Sequence, residues 1–262
     1  MDNIDTRVKI ENSQAYAFSN ENLSSFKDIY QFDGADVITV LGSGDQYFAS
    51  KLFGARTVEV YDSNSSTWPY FVLKFYAIRT LSHEEFYDLF VGENLYILNK
   101  VVPSLPYEVL NWLQRNLKKH GCLGDMLIYS PIARHPKNRS TGRIIPYLDC
   151  DEYYRLQSIL QSTKLPKFYL KNLLDLPSEL GLRFYDILLA SNIYTWLSIS
   201  TKEYDEFLSA FHAEMIQSYY SWITEEETVE ELLRLDHRVD AIPGHNPAYP
   251  NAKNFVISKI NY

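Results

Sequence analysis

Gly42, Ser43, Gly44 and Asp45 directly follow the apolar run Ile38 to Leu41, and Asp62 follows the second apolar run, Val58 to Tyr61. This is the sequence form of a nucleoside-binding crevice: a strand, a glycine turn, a short helix over Tyr47 to Phe53, and a second strand ending in an acid. Glycine there lets the backbone turn sharply and approach a ligand without a Cβ in the way. An acid 18 residues beyond Gly44 stands where a carboxylate can accept the hydroxyls of a ribose, and Ser63 and Asn64 continue that wall. The turn leaves two ligands open, a dinucleotide and S-adenosylmethionine. The dinucleotide fingerprint has its third glycine five residues after the first, where this chain has Tyr47, which would crowd a pyrophosphate. S-adenosylmethionine carries no phosphate and needs no helix N-terminus kept clear for an anion, so it ranks first.

In an open α/β sheet, ligands lie beyond the carboxyl ends of the strands at the switch point. Strands over 167–172 and in the run FYDILLASNIYTWL, residues 184–197, therefore put Asn172 and Leu173, and Ser191 and Asn192, at the other half of the crevice. The Asn172 amide suits an adenine edge, Leu173 its face, and Ser191 and Asn192 supply neutral donors and acceptors near the reacting end. Tyr194, Asp205 and His212 follow closely enough to be candidate bases, with a structural role in a helix the simpler reading of His212. The other histidines show no metal-ligand spacing, so no metal is assigned.

The elements that must position these residues follow in order. TWPYFVLKFYAIRTL reads as an amphipathic helix, and Ser82 with Glu85 as a capping box. YEVLNWLQRNLKKHG ends on lysines and a glycine, as a helix C-terminus should. Residues 74–165 form a helical insertion between the second and third main strands, expected to sit over the strand ends as a cap. KEYDEFLSAFHAEMI reads as a helix, IQSYYSWI as a strand, and RVDAIPG with NFVISKI as a closing antiparallel pair joined by HNPAYPNAK. Seven strands result if MLIYS, residues 126–130, lies outside the main sheet.

At 262 residues and 46% hydrophobic composition, the chain reads as a single α/β domain over 1–262 with a sizeable core. No apolar run approaches the roughly 18 residues of a bilayer span, and the polar start MDNIDTRVKIENSQ lacks a secretory signal, so a cytoplasmic location is expected. Cys122 and Cys150 suit a reducing compartment. A net charge of −8 argues against a nucleic-acid partner. The exception is the basic loop 131–143, with Arg134, Lys137, Arg139 and Arg143, which could clamp an anionic acceptor or simply be solvated.

The runs YAFSNEN, VLGSGDQ, YDSN, FVLKFYAIRTLSHEEFYDLF, IPYLDCDEYYRLQSIL and LLASNIYTWL together resemble the betaine-lipid synthase type, described as S-adenosylmethionine:diacylglycerol aminocarboxypropyl transferase-like. The resemblance covers roughly residues 15 to 200 with the motifs in the family's order. It implies a class I methyltransferase-like, Rossmann-like doubly wound sheet of about seven strands that binds S-adenosylmethionine. Gly42, Gly44 and Asp45 match its glycine-aspartate turn, Asp62 its ribose acid, and Ser191 and Asn192 its Ser-Asn after the fourth strand. Val40 stands where the wider methyltransferase family usually has an acid, so one contact to the methionine amine must come from elsewhere or is absent. The acceptor is a small molecule or a lipid, and the group transferred is methyl or aminocarboxypropyl. The other class of function left open is a non-catalytic nucleoside-binding module on the same fold.

Overall fold

The computed structural model describes residues 15–121, 123, 127–128, 144–221, 226–243 and 253–261. The strands are β1 (Ala15–Tyr16), β2 (Asp36–Val40), β3 (Thr57–Asp62), β4 (Leu127–Ile128), β5 (Phe168–Leu170), β6 (Tyr185–Leu189), β7 (Ala213–Ser221), β8 (Arg238–Pro243) and β9 (Lys253–Ile260). Seven of them form one sheet in the order β5-β3-β2-β6-β7-β9-β8. The five strands from β5 to β7 are parallel, and β9 runs antiparallel between β7 and β8. The chain leaves β2 in one direction to β3 and β5, then returns to the other side of β2 as β6. That reversal creates a crevice at the carboxyl ends of β2 and β6. The fold is thus the doubly wound α/β sheet of seven strands that the sequence led us to expect. The segment around 127–128 lies outside this sheet, with β4 pairing in parallel with β1.

Strands β2 and β6 are buried on both faces, as parallel strands covered by helices must be. Alternation sorts their side chains: Val37, Val60 and Leu189 enter the larger core, whereas Ile38, Tyr61 and Leu188 enter the smaller one behind the sheet. The helices are α1 (Asp45–Leu52), α2 (Thr67–Thr80), α3 (His83–Phe90), α4 (Leu98–Val101), α5 (Tyr107–His120), α6 (Cys150–Ser162), α7 (Leu176–Leu180), α8 (Thr201–Leu208) and α9 (Glu226–Arg234). The Ser82 and Glu85 capping box forms in both directions at the start of α3. Helix α5 stops at Gly121 in the left-handed conformation, φ 81°. No helix among the described residues is long and apolar enough to cross a membrane.

Two elements depart from their sequence pattern. The helix expected through residue 216 ends at Leu208, and the chain turns into β7 at Ala213, because pairing of Ala213 with Tyr185 outweighs the helical preference of Ala213, Glu214 and Met215. Helix α2 is not amphipathic. Its residues are buried nearly all round, because α3, α4, α5 and α6 pack on it and β1 runs beside it.

That enclosure takes Lys74 completely out of solvent. Its ammonium has three donors, and it places them 2.8 Å from Asp45 Oδ1, 2.8 Å from the Ala17 carbonyl and 3.0 Å from the Ser43 carbonyl. Asp45, equally buried, also accepts from the Ser19 amide at 2.5 Å, the Ser43 hydroxyl at 2.9 Å and the Tyr147 hydroxyl. Tyr70 donates to the same Ala17 carbonyl at 2.8 Å, and the Phe18 ring lies 4.4 Å from the ammonium. Burial pushes the Lys74 ammonium down and Asp45 pushes it back up. Removing one partner of such a pair leaves an uncompensated buried charge. Lys74→Met is therefore expected to cost roughly 3–5 kcal/mol in urea unfolding, and Lys74→Met/Asp45→Asn less than the two single changes summed. Additive losses would show that the pair is not coupled.

Candidate functional site

A cavity of about 780 Å³ opens at the switch point, within the rough 300–1,000 Å³ of pockets that hold compact organic ligands. Its floor is made by the ends of β2, β3, β5 and β6. Over it run the segment that follows β1 and the loop after β6. Of the residues expected at a nucleoside site, Gly42, Ser43, Asp62, Ser63, Asn64, Asn172, Leu173, Ser191 and Asn192 all line it. Gly44 and Asp45 are not among its lining residues. Gly44 has φ 84°, and a Cβ on it would lie 2.7 Å from the Phe71 ring, so this glycine answers to helix packing and not to a ligand. Asp45 is committed to Lys74.

Gly42 differs. It has φ 49° and nothing within 4 Å of an added Cβ, so here backbone conformation and not space demands glycine. Its amide donates to Asp62 Oδ2 at 2.9 Å, while the Asn64 amide donates to Oδ1 at 2.8 Å. Asp62 thereby latches the glycine turn to the end of β3 and still lines the cavity. Burial pushes its carboxyl up, and the backbone donors oppose this. Beside it the Tyr61 hydroxyl is buried with no hydrogen-bond partner among the described residues, although Tyr61 lines the cavity. Asn172 spends its side-chain oxygen on the Asp175 amide at 2.9 Å, so its amide nitrogen is what it can offer a base.

Ser191 has a left-handed backbone, φ 59°, which is strained for a residue with a Cβ. It is held from both sides: its amide donates to Gln217 Oε1 at 3.1 Å, and its hydroxyl donates to Glu21. Glu21 was not foreseen as a site residue, although it lies within the run YAFSNEN. Its other oxygen accepts from Gln46 Nε2 at 2.7 Å, and Thr39 donates to Gln46 Oε1 at 2.5 Å. Glu21 is 1% exposed, and among the described residues it forms no ion pair. Burial pushes its carboxyl up to about 7 against the hydrogen bonds from Ser191 and Gln46. Only a sequence signal for burial of residue 21 could have found it, and the polar flanks Asn20 and Asn22 give none.

Several expectations do not hold in three dimensions. Tyr47 is buried in the aromatic core against Phe48 and Phe71, with ring centres 5.5 and 5.0 Å away, and does not line the cavity, so it cannot crowd a ligand there. Asp45, the first residue of α1, spends its carboxylate on Lys74, Tyr147, the Ser19 amide and the Ser43 hydroxyl. None of the candidate bases lines the cavity. Tyr194 hydrogen-bonds Thr201 at 2.8 Å and stacks on Tyr204. His212 is exposed in the connection between α8 and β7, outside any helix. Asp205 lies 2.8 Å from His237 Nε2 and pairs with Lys259, and His237 Nδ1 lies 2.8 Å from the Ser218 hydroxyl. That Ser-His-Asp chain has a fully buried serine on β7 and serves to pin the start of β8 to the sheet. No described residue of 74–165 lines the cavity; the insertion packs its helices beside α1 and α2. Among the described residues no group of three or more metal-ligating side chains comes together. The basic loop 131–143 and Cys122 lie outside the described residues.

No protein-family model matches the chain. No curated protein matches it. Among the solved structures that resemble it are a protein of Streptococcus mutans described as a candidate SAM-dependent methyltransferase, and SMU.776, a candidate methyltransferase complexed with SAH. The first has a TM-score of 0.43 at 7% identity, covering 92% of this chain and 49% of its own. The second has a TM-score of 0.43 at 8% identity, covering 93% and 50%. The chain thus spans about half the length of these structures.

Glu21 makes stability depend on pH with a definite sign. A carboxyl raised from 4.5 to about 7 binds more protons folded than unfolded, so stability falls as pH rises across that window. The loss is on the order of 3 kcal/mol. Urea unfolding at pH 5 and pH 8 should show Glu21→Gln losing less stability than wild type over this interval. Parallel curves would mean that Glu21 is ionised throughout.

Proposed function

We propose that the protein is an S-adenosylmethionine-dependent transferase that moves a methyl or an aminocarboxypropyl group to a small-molecule or lipid acceptor. The observation that carries the reading is Asp62, a buried acid at the end of β3 that latches the Gly42 turn and lines a cavity at the switch point of the sheet. A ribose on Asp62 is placed here with its base toward β5, where Asn172 and Leu173 line the cavity, and its 5′ substituent toward β2 and β6, on the other side of β3, where Gly42, Ser43 and Ser191 line it.

The residues would divide the work as follows. Asp62 holds the ribose hydroxyls, while the Asn172 amide nitrogen and Leu173 hold the base. Gly42 and Ser43 let the backbone approach the amino-acid end, with Ser191 and Asn192 opposite. When bound, the sulfonium supplies an electrophilic carbon. The chain then has to align an acceptor with the breaking carbon-sulfur bond, a matter of orientation more than of acid-base chemistry. Tyr16, Ile193, Trp196, Leu197 and Ile199 wall the part of the cavity nearest β1 and β6 and suit an apolar acceptor. A second reading, a nucleoside-binding module without turnover, is favoured by one observation: none of the three candidate bases lies at the cavity.

Calorimetric titration with S-adenosylmethionine and S-adenosylhomocysteine tests the reading. Both ligands are expected to bind wild-type protein, and Asp62→Asn, which preserves shape but not acceptor capacity, to weaken both by about tenfold or more, about 1.4 kcal/mol. Absence of binding by wild type would sink the donor assignment. Binding without conversion of labelled S-adenosylmethionine in the presence of candidate acceptors, to S-adenosylhomocysteine after methyl transfer or to methylthioadenosine after aminocarboxypropyl transfer, would favour the module.

A further inference from the structure

We propose that Glu21 is the counter-charge for the sulfonium centre of the donor, so that the site distinguishes it from the neutral thioether left after transfer. The inference deepens the donor assignment and rests on it. Its ground is a mismatch in the interior. Lys74 and Asp45 neutralise each other, but Glu21, one residue along from Asn20 in the cavity wall, is buried with only neutral side chains on its carboxylate. Those side chains, Ser191 and Gln46, both line the cavity, so the carboxylate sits one hydrogen-bonded layer behind its surface. They belong to the β2 and β6 side, which is where a nucleoside seated on Asp62 sends its 5′ substituent. The charged residues that line the cavity, Asp62 and Lys171, lie on the β3 and β5 side, so nothing on the wall competes with Glu21 for a cation at the other end.

A buried carboxylate without a cation is costly, and burial shifts it toward its neutral form. A cation placed one layer away reverses that balance: the carboxyl ionises, releases its proton to solvent, and its attraction for the cation is little screened by water. The strain at Ser191 fits this role, since the left-handed turn aims its hydroxyl back at Glu21. The other titratable groups around Glu21 are Tyr30, Tyr61 and Tyr220, all raised by burial and hence neutral below pH 9, and Asp240 beyond Tyr30. Asp45 is balanced by Lys74, and Asp62 faces the ribose side. Glu21 is a positioning residue here, acting through Ser191 and Gln46 and without contact with the reacting atoms.

The test is calorimetric titration of the full chain with S-adenosylmethionine and with S-adenosylhomocysteine at pH 6 and pH 8, in two buffers of different ionisation enthalpy. Wild type is expected to prefer the sulfonium by about tenfold at pH 8, to lose most of that preference at pH 6, and to release a fraction of a proton on binding it near pH 7. Glu21→Gln should bind S-adenosylhomocysteine as wild type does, with no preference and no proton release. An unchanged preference in Glu21→Gln overturns the proposal while leaving the donor assignment intact. Should that variant fail to fold, wild type alone decides: a preference independent of pH and without proton release overturns it. If wild type binds neither ligand, the donor assignment falls and this inference with it.

Discussion

The buried pair of Lys74 and Asp45 is the interaction on which the site depends. An ammonium in a low-dielectric interior persists only with its charge answered and each donor satisfied. Here the satisfying groups come from the segment after β1, from the glycine turn and from the first residue of α1. One side chain on α2 thus joins the roof of the cavity, through Ala17, to its floor, through Ser43. The Ser19 amide and the Ser43 hydroxyl on the other Asp45 oxygen repeat the link from the acid's side. The cavity keeps its shape because its two walls share one charge pair.

This arrangement also explains why an insertion that does not line the cavity still matters to it. Helices α3, α4, α5 and α6 surround α2 and so keep Lys74 dry, and Tyr147, just before α6, donates directly to Asp45. The block 74–165 contributes by enclosing the charge pair, while the roof comes from residues near the start of the described chain and from the loop after β6. Two acids held at the start of α1, Asp45 in its first turn and Glu21 through Gln46, have opposite fates. Asp45 is charge-balanced and structural, and Glu21 is unbalanced, raised toward neutrality and next to the cavity.

Much of the fold and part of the site were legible in the chain. Alternating apolar runs, glycine turns and caps are local signals, and β2, β3, β6 and β8, the Ser82 capping box and the Gly121 stop follow from residues near one another in sequence. That Gly42, Asp62, Asn172 and Ser191 would line one cavity was legible, because a parallel sheet puts the residues at its strand ends along one edge and topology alone collects them. Asp45 and Tyr47 misled for the same local reason. Motif spacing places a residue along the helix but does not say which face meets the core, and both face inward.

What the sequence determined by itself was the order of strands and helices, the glycine turn and the acid at the end of β3, since each is set by conformational preference and periodicity within a few residues. Only the tertiary structure decided which charges are paired and which are not. Lys74 meets Asp45 across 29 positions, and Ser191 meets Glu21 across 170. Such pairings depend on how layers stack and on what they exclude from water, and no pattern along the chain encodes the dielectric around a side chain.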